Sequence, residues 1–142
     1  MIQLFYCSNS MTESEARQLA TRFGDDDIKM LGLPCSGKIT IPYLVKAFES
    51  GADGVVLCGC RAEDCRNLEG ALRASKRAQA VEALMEEVGL GKNRVLSVAK
   101  GQGNLNEVVM KIEQFQNQLQ TATAQIAVLR KESTAARREN AA

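Results

Sequence analysis

Apolar residues gather into four short runs separated by longer stretches of mixed character, and the two patterns alternate along the chain. Residues 2–7 are rich in strand formers and predict a first strand. A helix follows, which Thr12 can cap and Glu15 can close into a capping box, because a hydroxyl and a carboxylate three residues apart satisfy two otherwise orphaned N–H groups. Gly24 and Asp25 to Asp27 punctuate its end, and residues 28–33 give a second strand that Pro34 terminates. The turn 35–38 leads into a helix over 41–50, with Pro42 tolerated in the first turn and Gly51 closing it. Residues 54–60 are almost continuously apolar, as in a strand covered on both faces, and predict the central strand. A helix over 68–88 ends at Gly89-Leu90-Gly91, a fourth strand covers 94–99, and Gly101-Gln102-Gly103 forms a turn. Alternation of this kind specifies an α/β fold: a four-stranded parallel sheet with right-handed crossovers, flavodoxin-like or Rossmann-like, in an order such as 2-1-3-4.

The last element is longer than the sheet requires. Leu105, Val108, Ile112, Phe115, Leu119, Ala122, Ile126 and Leu129 recur in alternating steps of three and four, an unbroken heptad seam over a helix predicted for 104–131. Such a seam can fold back on its own sheet or dock on another subunit or a second copy, and its excess length favours docking. The polar end, 137–142, has no apolar anchor and is expected to fray. The chain thus divides into an α/β unit over 1–103 and a C-terminal docking helix with its tail over 104–142.

Composition narrows the chemistry. A length of 142 residues encloses one core. A net charge of +1 supplies no basic field for nucleic acid, and no apolar run approaches the ~20 residues of a membrane span. Zero histidines exclude a Ser-His-Asp or Cys-His site, His-ligated zinc, a His-held haem and a Rieske centre. The Gly-rich turns are not a dinucleotide fingerprint, and no Walker-type Gly-Lys-Ser/Thr occurs. Arg73, Lys76 and Arg77 read as a solvated face or a patch for an acidic partner. Five cysteines, and a start without the basic and apolar regions of a signal peptide, lead us to expect a reducing, cytoplasmic compartment and thiolate chemistry rather than disulfides.

Cys7, Cys35 and Cys60 each fall at the carboxyl end of a different predicted strand, and parallel strands place those ends on one edge, where open α/β sheets bind ligands. Cys65, in the next loop, can bend back onto the same centre. Four thiolates without histidine suit tetrahedral zinc or an iron–sulfur cluster. The spacing favours iron–sulfur: Cys60 and Cys65 have four residues between them and no Cys-x-x-Cys knuckle occurs. Lys38, Arg61 and Arg66 sit close after cysteines, and Gly37 and Gly59 leave N–H groups open to sulfur. Cys58, deep in the central run beside Val55, Val56 and Leu57, reads as packing rather than as a spare ligand.

Three stretches carry a family resemblance: Phe5-Tyr6-Cys7 with Cys35-Ser36-Gly37; residues 46–55, Lys-Ala-Phe-Glu-Ser-Gly-Ala-Asp-Gly-Val; and residues 59–65, Gly-Cys-Arg-Ala-Glu-Asp-Cys. Over roughly residues 1–118 the chain resembles the delta subunit of methyl-viologen-reducing hydrogenase. The resemblance implies a [2Fe–2S] cluster, ligated by Cys7, Cys35, Cys60 and Cys65. It also implies single-electron transfer in a heterodisulfide-reductase or hydrogenase-type complex of anaerobic metabolism. Implied partners are a flavin and iron–sulfur subunit resembling heterodisulfide reductase A, and other redox subunits. The chain would be an electron carrier in an oxidoreductase complex with no substrate site of its own, in some cases serving another large reductase such as a benzoyl-CoA reductase. Family members usually carry further cysteines near the start, where this chain has Tyr6, Ser8 and Ser10, and often histidines where it has Arg61 and Arg66. The long C-terminal helix is outside the resemblance. The alternative is a zinc-binding or metal-free assembly module of a multi-subunit complex.

Overall fold

The computed structural model describes residues 1–100 and 104–141. Four parallel strands, β1 (Ile2–Cys7), β2 (Ile28–Leu33), β3 (Gly54–Gly59) and β4 (Val95–Ala99), lie in the order β2-β1-β3-β4. The helices between and after them are α1 (Glu13–Phe23), α2 (Ile41–Glu49), α3 (Gly70–Glu87) and α4 (Leu105–Asn140), with short 3-10 turns at Ser36–Lys38 and Ala62–Asp64. This is the expected α/β fold with its long C-terminal helix. Register runs from Ile2 against Ile28 and Gly54 to Cys7 against Leu33, so the carboxyl ends of β1, β2 and β3 share one edge. Strand order reverses between β1 and β3, which opens the crevice of a doubly wound sheet at that edge.

Alternation along each strand feeds two cores. Ile2, Leu4, Val56, Cys58 and Val98 face α1 and α4, packing with Leu19, Val108, Ile112, Phe115 and Leu119. Phe5, Val55 and Leu57 face α2 and α3, packing with Leu44, Ala74, Ala78, Val81 and Met85. All six residues of β3 are buried, as its apolar run requires.

Local sequence sets the helix ends. The capping box at Thr12 is formed: its N–H donates to Glu15 Oε2 at 2.8 Å and the Glu15 N–H donates to Thr12 Oγ1 at 3.2 Å. Thr40 caps α2. The third helix starts at Gly70, two residues later than the pattern predicts, because Leu68 adopts a left-handed φ of 55° and cannot belong to a right-handed helix. The fourth helix corrects two expectations. It passes Lys131 and continues through the polar segment expected to fray, ending at Asn140. Its seam also splits in two: Val108 to Leu119 are buried on the sheet, Ala122 and Ile126 are half-buried, and Leu129 is exposed. The Gly101-Gln102-Gly103 turn lies outside the described residues. Among those described, no helix is long and apolar enough to cross a membrane.

Candidate functional site

The crevice collects the cysteines that the sequence singles out. Cys7 closes β1, Cys35 follows β2 by two residues, Cys60 follows β3 directly, and Cys65 ends the 3-10 turn beyond it. All four line one cavity of about 300 Å³, together with Ser8, Asn9, Ser36 and Arg66. Cys7, Cys35 and Cys60 are buried, and Cys65 is partly open to solvent.

Two of the four sulfurs are in contact and the other two approach one glycine. The Cys60 thiol donates to Cys7 Sγ across 3.6 Å, although the residues are 53 positions apart. Cys35 and Cys65 flank the first residue of α3: a β-carbon on Gly70 would lie 2.8 Å from Cys35 Sγ and 3.4 Å from Cys65 Sγ. Among the described residues, no three His, Cys, Asp or Glu side chains are gathered as the ligands of a single metal ion.

Donors already point at these sulfurs. The Gly37 N–H donates to Cys35 Sγ at 3.4 Å. Asn9 Nδ2 donates to Cys60 Sγ at 3.3 Å and to the Asp64 carbonyl at 3.1 Å, tying the sulfur to the loop that carries Cys65. Burial pushes the Cys60 thiol up to about 11, against the opposing hydrogen bond from Asn9.

Cys58 stands apart. It is fully buried in the core facing α1 and α4, its thiol is likewise pushed up to about 11 by burial, and it does not line the cavity. Its surroundings are those of a packed core residue. Of the three basic residues near the cysteines, Arg66 lines the cavity, whereas Lys38 and Arg61 are exposed and do not line it. Gly37 donates to sulfur as expected. Gly59 instead pairs within the sheet and presses on Ser36, whose Oγ would lie 3.2 Å from a β-carbon there.

Sequence reasoning missed three contributors. Arg77, read as part of a solvated face or patch, reaches from α3 with one Nη1 to the carbonyls of Gly37 and Ile39, both at 2.6 Å, and so holds the turn that aims Gly37 at Cys35. Asn9 lies two residues after Cys7, where a polar donor beside a candidate ligand was the available signal. Gly70 had a signal as well: a glycine inside a predicted helix costs about 1 kcal/mol against alanine and asks for a packing reason. Beside this cavity lies a second, of about 410 Å³, lined in part by Asn9, Ser10, Glu15, Cys60 and Lys100. Lys100 is buried there, its ammonium donating to the Ser10 carbonyl at 2.8 Å and pairing with Glu15 at 3.1 Å.

The chain is 31% identical over 95 residues to the D-type iron-sulfur component of the vhu F420-non-reducing hydrogenase from Methanocaldococcus jannaschii, covering 62% of this chain and 71% of that protein. It is 37% identical over 68 residues to the corresponding D-type iron-sulfur component of the F420-non-reducing hydrogenase of Archaeoglobus profundus, covering 48% of this chain but only 50% of that one. A third relative is much larger: 96 residues, 63% of this chain, are 30% identical to a stretch making up 12% of the A component of the ferredoxin/F(420)H(2)-dependent CoB-CoM heterodisulfide reductase of Methanosarcina acetivorans. The family model for the delta subunit of methyl-viologen-reducing hydrogenase matches residues 2–122, nearly all of the α/β unit and the sheet-packed half of α4, and the chain belongs to that family.

Proposed function

We propose that this protein is a single-electron carrier whose Cys7, Cys35, Cys60 and Cys65 hold a [2Fe–2S] cluster. The observation that carries the reading is the convergence of four cysteines, three of them from strand ends, on one cavity. The donor set fits: four thiolates suit iron and sulfide, and the glycine at position 70 leaves free the space that any side chain would fill. The cluster, when bound, supplies the ability to accept and release one electron.

The chain's own residues do the rest. Cys7 and Cys60 anchor one side of the cavity from inside the fold, and burial there excludes water. Asn9 and Gly37 donate to sulfur and favour its anionic form, which is how a protein adjusts the potential of such a centre. Arg66, on the rim, adds a positive charge facing the cavity. Loading needs thiolates, and burial disfavours the thiolate of Cys60.

The relatives suggest the partners. In the heterodisulfide reductase relative the matching stretch is one small part of a much longer chain, so an equivalent unit is covalently joined there to what this chain would meet as a separate protein. The implied partner is a flavin and iron–sulfur protein of that type, within a cytoplasmic hydrogenase, heterodisulfide-reductase or related reductase complex such as one that reduces benzoyl-CoA. The test is chemical: purify the full chain without oxygen, record its visible spectrum, and assay iron and acid-labile sulfide. Two irons and two sulfides per chain are expected. A colourless protein carrying zinc, or no metal, overturns the reading.

A further inference from the structure

We propose that the two pairs of sulfurs are unequal, each pair holding one metal of the cluster, and that the added electron settles on the iron held by Cys35 and Cys65. This rests on the [2Fe–2S] reading above and goes beyond it by assigning each pair to one metal and the electron to one pair. The pairing follows from geometry. Cys7 and Cys60 are in thiol contact, while Cys35 and Cys65 converge on Gly70.

The asymmetry is electrostatic. Reduction adds one negative charge, which settles where dipoles and solvent stabilise it best. Cys35 and Cys65 sit at the N-terminus of α3, an 18-residue helix whose N-cap, Glu69, makes no side-chain capping bond. That end carries a partial positive charge, although the Gly70 N–H itself donates to the Asn67 carbonyl at 3.2 Å. Gly37 adds a backbone donor to Cys35, and Cys65 is the one ligand of the four with solvent access. The other pair is poorer ground for charge. Cys7 and Cys60 are both buried, and the Cys7 thiol donates to the Pro34 carbonyl at 3.9 Å, an acceptor whose dipole opposes negative charge. Among the described residues, Asn9 is the one side chain besides the paired cysteine that donates to a sulfur on that side. The step is one electron from a low-potential donor, converting one ferric ion to ferrous, with no Fe–S bond made or broken and no proton taken up.

The experiment uses the cluster-loaded full chain reduced with dithionite. Serine is a harder ligand than cysteine, so it disturbs the reduced state most where it binds the ferrous site. Cys35→Ser and Cys65→Ser are expected to change the electron paramagnetic resonance g-values alike and move the midpoint potential to more negative values. Cys7→Ser and Cys60→Ser should form a second group with g-values close to the unsubstituted protein. Where a serine variant fails to load, proton resonance of the unsubstituted reduced protein decides. The cysteine β-protons that show cross-relaxation with the Gly70 α-protons should carry the temperature dependence of ligands to ferrous iron. The inference is overturned if that signature belongs to Cys7 and Cys60, or if the variants group as Cys7 with Cys35. Absence of iron and sulfide from the unsubstituted protein overturns the underlying reading instead, so the two failures are distinguishable.

Discussion

Cys35 Sγ occupies the space a β-carbon would need at residue 70: the two would be 2.8 Å apart, closer than such atoms come. The first residue of α3 is thus part of the cysteine site through its lack of a side chain. Gly70→Ala is expected to displace the Cys35 sulfur and lower iron per chain several-fold, although alanine is the better helix former by roughly 1 kcal/mol. Metal analysis alongside helical circular dichroism checks this. A variant that keeps its helix and loads iron normally would show that the cavity can open without harm.

The contrast between Cys58 and Cys60 gives a second expectation. Two residues apart, they have thiols pushed equally high by burial, yet one faces the core and the other the cavity. Cys58→Ala should retain the cluster spectrum and lose on the order of 1 kcal/mol of stability, the amount that goes with a small cavity in a packed core. Cys60→Ser and Cys35→Ser should lose or strongly alter the spectrum. An unaltered spectrum in Cys35→Ser would refute the ligand set.

Much of this was legible in the sequence, and the reason lies in periodicity. The strand ends at Cys7, Leu33 and Gly59 follow from short apolar runs bounded by turn residues, and parallel topology then gathers those ends on one edge without further information. Pairing within the site was not legible. That Cys7 meets Cys60 rather than Cys35 depends on where β3 stops and how the 61–65 loop returns, both set by tertiary contacts such as the bond from Asn9 to the Asp64 carbonyl. Arg77 escaped for a related reason: an arginine on a polar helix face reads as solvated until the turn carrying Gly37 and Ile39 is known to pack against it.

Arg77 therefore supports a third prediction. One guanidinium nitrogen bonded to two carbonyls of the cysteine turn contributes on the order of 1.5–3 kcal/mol by the usual worth of charged hydrogen bonds, and its loss frees the Gly37 amide as well. Arg77→Ala should lower the thermal midpoint and slow cluster reconstitution. Arg73→Ala, one turn away and paired with exposed Glu69, should do neither. Equal effects from both would mean that general charge on α3, rather than the turn, is what matters.

Glu15 gives a pH dependence with a definite sign. The Thr12 backbone N–H holds its carboxyl below the ordinary glutamate range, with Lys100 acting in the same direction and burial opposing. Its folded value is lowered, so the stabilisation is fully present above the ordinary range and is lost as pH falls through the folded value. Glu15→Gln keeps the size of the side chain and removes the ionisation. Denaturant midpoints measured from neutral pH down into the acid range should show a shallower acid decline in Glu15→Gln, the two proteins converging at the acid end. Parallel curves would remove Glu15 from the acid response.

The far half of α4 leads to the last prediction, because its apolar seam loses its cover where the sheet ends. Leu119 is buried against Gly54, where a β-carbon would lie 2.5 Å from Leu119 Cδ1, and beyond it only Ala122 and Ile126 are even half-buried. Val128 and Leu129 are 53% and 63% exposed, on a helix that runs on to Asn140. A helix that leaves its own core gains stability from packing elsewhere, since propensity alone leaves such a segment marginal in water. Deleting residues 120–142 should therefore cost the isolated protein no more than about 1 kcal/mol and leave the cluster spectrum unchanged, because few apolar groups become exposed. Affinity for the partner proteins, measured by calorimetry or by co-purification at matched concentrations, should fall at least tenfold. Leu129→Glu, which puts a charge on the same seam without shortening the helix, should weaken assembly in the same direction. Full affinity in both variants would mean that the partners contact the sheet edge alone and that the exposed seam takes no part in assembly.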